Sequence, residues 1–78
     1  LPFHKESVSI GSNTYIGAQS IIKAGIQIGD HCLIGANTFV NNNIASCSIV
    51  VGSPGKVIGK VLLQNGKVIL KYDDGCME

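Results

Sequence analysis

The chain has 78 residues, of which six are basic and five are acidic, giving a formal net charge of +1. A chain of this length allows one small domain and buries a modest fraction of its surface unless something staples or enlarges it. The near-neutral balance provides no bulk positive charge for a nucleic acid or an anionic membrane. No apolar run is long enough to cross a bilayer. We therefore expect neither nucleic-acid binding nor membrane insertion.

The cysteines, Cys32, Cys47 and Cys76, are odd in number and form no CxxC pair. They also do not combine with His4 and His31 at the spacing of zinc ligands, so no metal site is predicted. Free thiols favour a reducing compartment, and the N-terminus lacks the pattern of a secretory signal. We therefore predict a cytoplasmic location. The chain does not begin with methionine, which suggests that it was processed or is the tail of a longer protein.

Residues 1–7 have no regular pattern and are predicted to form an N-terminal segment that leads to the first strand. His4 is the one residue in this segment that could act as a catalytic general base. Such a base needs a shaped pocket around it, and the sequence predicts none there. The more ordinary interpretation of His4 is a solvated or packed terminal residue.

An aliphatic residue recurs at every sixth position between residues 10 and 40. These residues are Ile10, Ile16, Ile22, Ile28, Ile34 and Val40. Neither an α-helix nor an ordinary hairpin sheet produces this period, so it predicts a repeat fold. If three blocks make one triangular turn of eighteen residues, residues eighteen apart stack about 4.8 Å from one another, as in a parallel sheet. The stacked aliphatic residues would then form the core of a parallel β-helix.

Two further sets of positions follow from the same period. The residues predicted to point inward as a second set are Val8, Thr14, Ser20, Ile26, Cys32, Thr38 and Ile44. The corner residues predicted to need positive φ are Asn13, Gln19, Gly25, His31, Asn37 and Asn43. All of the corner residues except Gln19 are types that enter the left-handed region readily. A corner position also explains His31 by conformation, as the alternative to a catalytic or metal-binding role.

The outward-pointing residues distinguish the three walls of such a prism. The predicted stacked pairs are Tyr15 with Leu33, Ile21 with Phe39, and Gln27 with Ala45. The first two pairs make two walls apolar on the outside, which a soluble monomer would not normally leave exposed. We therefore predict that these four residues form the interface of a homotrimer. The alternative is that the C-terminal part of the same chain covers one wall.

The regular period is expected to end after residue 40, because the next inner position falls on the polar Ser46. Residues 49–51 are predicted to form one more short strand before a Gly-Ser-Pro-Gly turn. The apolar pair Val57 and Ile58 is expected to cap the end of the prism.

The C-terminal region differs in kind, because two apolar runs flank Asn65-Gly66, a strong signal for a β-hairpin. The predicted organisation is an N-terminal segment at 1–7, coils at 8–60, a hairpin at 61–72 and a frayed tail at 73–78.

Residues 8–60 resemble the hexapeptide-repeat acyltransferases, in particular the C-terminal coils of galactoside, maltose and polysaccharide O-acetyltransferases. The resemblance runs from VSIGSNTYIGAQSIIKAGIQIGDHCLIGANTFVNNNI to SIVVGSPGKVIGK. The spacing between the last aliphatic block and Gly-Ser-Pro-Gly-Lys makes this resemblance specific. The resemblance implies an all-β fold, a left-handed parallel β-helix of about two to three coils with a C-terminal β-hairpin. The handedness is implied by the resemblance alone, because crossovers between parallel strands are usually right-handed.

The resemblance also implies an activity, the transfer of an acetyl group from acetyl coenzyme A to a hydroxyl, usually of a sugar. In this family the cofactor lies in a groove between coil walls of a trimer. Ala18 and Ala36 match residues whose backbone lies along the pantetheine arm of the cofactor. Asn41 and Asn42 match a Thr-Lys pair near its far end.

Two further positions concern the phosphates of the cofactor. Lys56 matches a basic residue that meets the nucleotide phosphates, a role that suits its ammonium group. The second basic position of the family falls on Gly59, where the adjacent Lys60 could substitute.

The resemblance places the catalytic histidine about a full coil before the block that begins at Ile10, and His4 is too close to Ile10 to match it. We therefore expect the C-terminal part of an O-acetyltransferase that lacks the general base and has little or no activity alone. The alternative is a non-catalytic trimeric β-solenoid that serves as an assembly module. An ice-binding solenoid is less favoured, because Thr14 and Thr38 occupy inward positions.

Overall fold

The structure, a computed structural model, describes residues 7–73. The strands are β1 (Ser9–Ile10), β2 (Tyr15–Ile16), β3 (Ile21–Ile22), β4 (Gln27–Ile28), β5 (Leu33–Ile34), β6 (Phe39–Val40), β7 (Ser48–Val51), β8 (Lys56–Gln64) and β9 (Lys67–Tyr72). Within this part of the chain there is no helix long and apolar enough to cross a membrane.

The first seven strands form the three walls of a prism. Wall A contains β1 and β4, wall B contains β2, β5 and β7, and wall C contains β3 and β6. All pairs within these walls are parallel, and the stacked inner residues of the first two coils are Ile10 with Ile28, Ile16 with Ile34, and Ile22 with Val40. The predicted stacking at intervals of eighteen residues is therefore confirmed for these two coils, which form a parallel β-helix.

The corners between the walls use the left-handed backbone conformation. Positive φ angles are found at Asn13, Gln19, Gly25, His31 and Asn37. Gln19, with φ of 61°, adopts the conformation although its side chain does not favour it. The position in the repeat therefore decides the conformation, and the residue type contributes only a preference.

The prediction of positive φ at Asn43 is wrong, because the third coil is two residues shorter than the first two. Ile44 pairs with Ile28 and Val50 pairs with Ile34, which in both cases is an offset of sixteen residues (44 − 28 and 50 − 34). The left-handed corner residue of this coil is Cys47, with φ of 64°.

Because of this shortening, the prediction that Ser46 takes an inner position and ends the coil is wrong. Ile44 takes that position and is 9% exposed, whereas Ser46 lies at the corner, where its hydroxyl accepts a 2.9 Å hydrogen bond from the Asp30 N–H. The predicted stacking of Gln27 with Ala45 is wrong for the same reason. The β-helix therefore continues for most of a third coil.

The side chain of Asn43 replaces a backbone group that the shortened corner lacks. In the first coil, the Ser9 N–H donates to the backbone carbonyl of Ile26 at 3.1 Å. The equivalent N–H one coil later, that of Gln27, donates instead to Asn43 Oδ1 at 2.9 Å. The side-chain amide oxygen of Asn43 thus accepts the hydrogen bond that a backbone carbonyl accepts in the first coil.

Burial increases from the first coil to the later ones. Ile10 is 45% exposed, whereas Ile28 above it in the ladder is 3% exposed and Ile34 is completely buried. The second inward set follows the same trend, because Val8 is exposed while Ile26, Cys32 and Thr38 are buried. Ile44, predicted to belong to this set, lies instead in the ladder of Ile10 and Ile28. The core therefore lies between the second and third coils.

The C-terminal strands extend wall B beyond the prism. β8 pairs antiparallel with β7, and β9 pairs antiparallel with β8. The turn between β8 and β9 has φ of 51° at Asn65 and 77° at Gly66, which suits a two-residue hairpin. The predicted hairpin is confirmed. The predicted cap at Val57 and Ile58 is wrong, because these residues lie in β8 and Val57 is 50% exposed.

Asn43→Leu tests whether the side-chain oxygen closes the shortened corner. It removes the acceptor at similar size, and we expect the free energy of unfolding to fall by about 1 kcal/mol. Asn43→Asp keeps the oxygen and should stay much closer to the parent. Urea denaturation of the three proteins measures the difference, and equal stability of the Leu and Asp variants would contradict the assignment.

Candidate functional site

The second corner of the prism, residues 17–20 and 35–38, joins wall B to wall C. Ala18 and Ala36 are both exposed there on successive coils, and the Asn37 N–H donates to the Ala18 carbonyl at 2.9 Å. A Cβ atom on Gly17 would lie 2.6 Å from the Ala36 nitrogen, closer than real Cβ atoms approach. The two coils are therefore in close backbone contact, and their exposed corner carries only small side chains at these positions.

The hydroxyl of Ser20 joins the two coils at this corner by hydrogen bonds on the inner side. Ser20 Oγ donates to the Gly35 carbonyl at 2.7 Å and accepts from the Thr38 N–H at 3.3 Å. Thr38 is 1% exposed, and its Oγ1 has no hydrogen-bond partner within the described residues. Thr14 Oγ1 and Ser20 Oγ each donate to a carbonyl fifteen residues later in the sequence, and Thr38 Oγ1 makes no equivalent hydrogen bond within the described residues.

Lys56 lies at the end of the same corner. The turn that precedes it is bonded to wall C, because the Phe39 N–H donates to the Gly52 carbonyl at 3.0 Å and the Gly55 N–H donates to the Phe39 carbonyl at 2.7 Å. Lys56 then pairs with Val51, the residue immediately before that turn, and its side chain is exposed. The structure therefore brings the lysine to the end of the column formed by Ala18 and Ala36.

Lys60 lies at the other edge of wall B. It pairs with Ser48, beside the first corner, and four residues of extended strand, about 13 Å, separate it from Lys56. Lys60 is adjacent to Gly59, and its role as a substitute for the second basic position stays a prediction.

Gly59 has a packing reason to lack a side chain. A Cβ atom at this position would collide with the Lys71 carbonyl oxygen and lie 2.9 Å from Tyr72 Cα. A basic residue at position 59 would therefore displace β9 from β8.

Asn41 and Asn42 occupy the third corner, between walls C and A. Asn42 Nδ2 donates to Asn41 Oδ1 at 3.3 Å. The width of wall C separates them from the second corner, so the structure does not place this pair beside Ala18 and Ala36 within one chain. His4 lies outside the described residues.

His31 lines a cavity of about 350 Å³ together with Tyr15, Leu33 and the hairpin residues Val61 and Leu63. Its backbone N–H donates to the Ser12 carbonyl. No three His, Cys, Asp or Glu residues among 7–73 are grouped as metal ligands would be.

An open groove of about 650 Å³ follows the outside of wall A, and the sequence analysis did not identify it. Its polar lining includes Gln27, Asn43 and Asp30, and the Asp30 carboxylate accepts a 2.7 Å hydrogen bond from the Ser12 N–H. A signal for this groove was present in the sequence, because wall A is the one wall whose outward residues are polar or small.

The apolar outer residues lie as predicted on walls B and C. Tyr15 is paired with Leu33 and Ile21 with Phe39, and Tyr15 and Ile21 are 64% and 62% exposed. Leu33 and Phe39 are half-buried. The hairpin shares a cavity with wall B and so covers part of it, whereas Ile21 on wall C remains open.

Comparison with known proteins identifies the family to which the six-residue repeat belongs. The family model for bacterial transferase hexapeptide (six repeats) matches residues 7–42. These residues belong to the bacterial transferase hexapeptide family. The left-handed parallel β-helix implied by the sequence resemblance is thus confirmed as the fold of this chain.

Individual relatives are acetyltransferases. A chloramphenicol acetyltransferase of Morganella morganii is 38% identical over 52 residues, which is 67% of this chain and 25% of the relative. A maltose O-acetyltransferase structure from Clostridium difficile 630 has a TM-score of 0.67 at 45% identity, covering 68% of this chain and 28% of that one. A galactoside acetyltransferase structure in complex with coenzyme A has a TM-score of 0.67 at 36% identity, covering 68% and 26%. The chain therefore spans about a quarter of the length of the curated relatives that it matches.

Gly59→Ala tests the close contact between β8 and β9. Overpacking of this kind typically costs about 1–3 kcal/mol, and we expect the loss to appear first as faster amide exchange in β9. Lys60→Ala, at the exposed neighbouring position, is the control and should leave exchange in β9 nearly unchanged. Hydrogen exchange measured by mass spectrometry distinguishes the two variants, and similar exchange in both would show that β9 tolerates the added methyl group.

Proposed function

We propose that this chain forms the coenzyme A-binding part of a trimeric O-acetyltransferase, which transfers the acetyl group of acetyl coenzyme A to a hydroxyl of a sugar or similar acceptor. The observation that carries the proposal is the second corner, where Ala18 and Ala36 form a column that ends at Lys56. The galactoside acetyltransferase with coenzyme A bound has the same fold over the matched region.

The chemistry of the cofactor suits this column. The pantetheine arm is a long uncharged chain with two amides, so it needs a smooth surface on which it can approach the backbone closely. Ala18 and Ala36 leave the backbone of two successive coils accessible. The nucleotide end of coenzyme A carries phosphates, and the exposed ammonium of Lys56 can bind them as a point charge.

The trimer follows from the position of the same corner between walls B and C. Tyr15 and Ile21, on either side of it, are 64% and 62% exposed. If neighbouring chains cover these apolar walls, the corner becomes the floor of a groove at the boundary between subunits. A cofactor in that groove would contact two chains, and Asn41 and Asn42 could contact it from the neighbouring chain.

We assign the general base to a part of the enzyme outside residues 7–73. Within residues 7–73 the one histidine is His31, which lies at the first corner. It lines a cavity that faces the hairpin rather than the second corner. We therefore expect little or no acetyl transfer from residues 7–73 alone. A cytoplasmic location agrees with acetyl coenzyme A as the donor and with the free thiols of Cys32 and Cys47.

Binding of coenzyme A tests the cofactor proposal directly. We expect calorimetry to detect binding to the parent chain and Lys56→Gln to weaken it about tenfold, which corresponds to ~1.4 kcal/mol. Lys60→Gln removes an equal charge about 13 Å away along the strand and should have a much smaller effect. Equal effects of the two substitutions would contradict the specific role of Lys56.

The oligomeric state tests the interface. Sedimentation of the parent should give trimers, and the double variant Tyr15→Glu, Phe39→Glu should dissociate them, because each charge would be buried without a partner. An unchanged oligomer in that variant would exclude walls B and C as the interface. Trimers that do not bind coenzyme A would instead support the non-catalytic assembly module.

A further inference from the structure

The last strand of the five-stranded sheet has an open edge. The strand order is β2-β5-β7-β8-β9, and no described strand pairs with the outer side of β9. Every residue of β9 is exposed, including Val68 at 66%, Leu70 at 38% and Tyr72 at 37%. An exposed apolar edge strand is a template for pairing with another chain.

The register of the hairpin fixes which backbone groups face this edge. Gln64 and Lys67 are paired across the two-residue turn, and in antiparallel strands the hydrogen-bonded pairs alternate from there. The Asp73 N–H donates to the Ile58 carbonyl at 2.8 Å, as this alternation requires. The residues bonded to β8 are therefore Lys67, Ile69, Lys71 and Asp73, whereas the backbone groups of Val68, Leu70 and Tyr72 point to the open edge.

We propose that β9 pairs antiparallel with β9 of a second copy of this chain, about a two-fold axis at Leu70. In this register Leu70 lies opposite Leu70 of the partner, and Val68 lies opposite Tyr72 of the partner. All three outward-facing residues of each strand then form hydrogen-bonded pairs. The axis stands perpendicular to the sheet, so the apolar face that carries these side chains continues from one chain into the other.

Charge selects this register over its neighbours. With Leu70 on the axis, Lys67 lies opposite Asp73 of the partner, and the symmetry makes this pair twice. Shifting the axis to Ile69 would place Lys67 opposite Lys71 of the partner, and shifting it to Lys71 would place two lysines opposite each other. Like charges directly opposite each other destabilise a strand pair, whereas opposite charges stabilise it.

The second copy is a better occupant of this edge than an unrelated peptide, because the edge is self-complementary in both hydrogen bonds and charge. The pairing uses a strand edge rather than the outer faces of walls B and C. It would therefore join two chains, or two trimers, through their hairpins. This assembly does not depend on the binding of coenzyme A.

Disulfide cross-linking tests the register, in a background with Cys47→Asn and Cys76→Ser. In Leu70→Cys the two Cα atoms should lie about 5.5 Å apart, within the range that a disulfide spans. Val68→Cys is the matched control on the same strand and face, because its two copies would lie about 13 Å apart. We expect mild oxidation to cross-link Leu70→Cys and not Val68→Cys alone, and to cross-link Val68→Cys mixed with Tyr72→Cys. Absence of the Leu70→Cys cross-link, or equal cross-linking of both single variants, would overturn the proposal.

Charge reversal provides a second test that does not depend on cysteine chemistry. Lys67→Glu and Asp73→Lys each place like charges opposite each other, and we expect either one to weaken self-association through the hairpin at least fivefold in sedimentation equilibrium. The double variant restores the pair with reversed sign and should recover most of the association. Single variants that associate like the parent, or a double variant no stronger than the singles, would show that Lys67 and Asp73 do not meet across this interface.

Discussion

The hydrogen bonds between successive coils are the interaction on which the rest of this structure depends. Each short strand has only two residues, so no strand is stable alone, and each one is held by the strand one coil away. Gly11, Gly17 and Gly29 have no room for a side chain, because a Cβ atom on each would lie less than 3.0 Å from the backbone of the next coil. The same close approach stacks Ala18 and Ala36 at an exposed corner, and so the constraint that forms the core also forms the candidate cofactor surface.

The third coil shows how the chain keeps these bonds when its length changes. Two residues are missing from the third corner, and the Asn43 side chain supplies the acceptor that the backbone cannot. Ile44 and Val50 then return to the inner positions beside Ile28 and Ile34. Wall B therefore remains continuous to β7, which allows β8 and β9 to extend it and places Lys56 at the end of the second corner.

The sequence predicted the parts of the structure that repeat and failed where the repeat changes length. The ladders of Ile10, Ile16 and Ile22 follow from spacing alone, and Asn65-Gly66 identified the hairpin. Ser46 was misplaced because counting by six cannot detect a shortened corner, although Ile44 and Val50 are themselves six residues apart and mark the restart. The separation of Lys60 from Lys56 arises because both lie in one extended strand, β8, whereas the sequence analysis placed them in the coils.

Gly59 is the position at which the packing of the hairpin limits which side chains the candidate site can carry. The sequence resemblance matches position 59 to a basic residue, but here β9 passes so close to β8 that a side chain at 59 would collide with the Lys71 backbone. A hairpin packed in this way leaves no room for a side chain at position 59, whereas Lys56 is exposed at the end of the second corner. The hairpin carries three further lysines, Lys60, Lys67 and Lys71, and no acidic residue. Of these, Lys67 and Lys71, together with Asp73, are the charges that favour one register in the proposed pairing of β9.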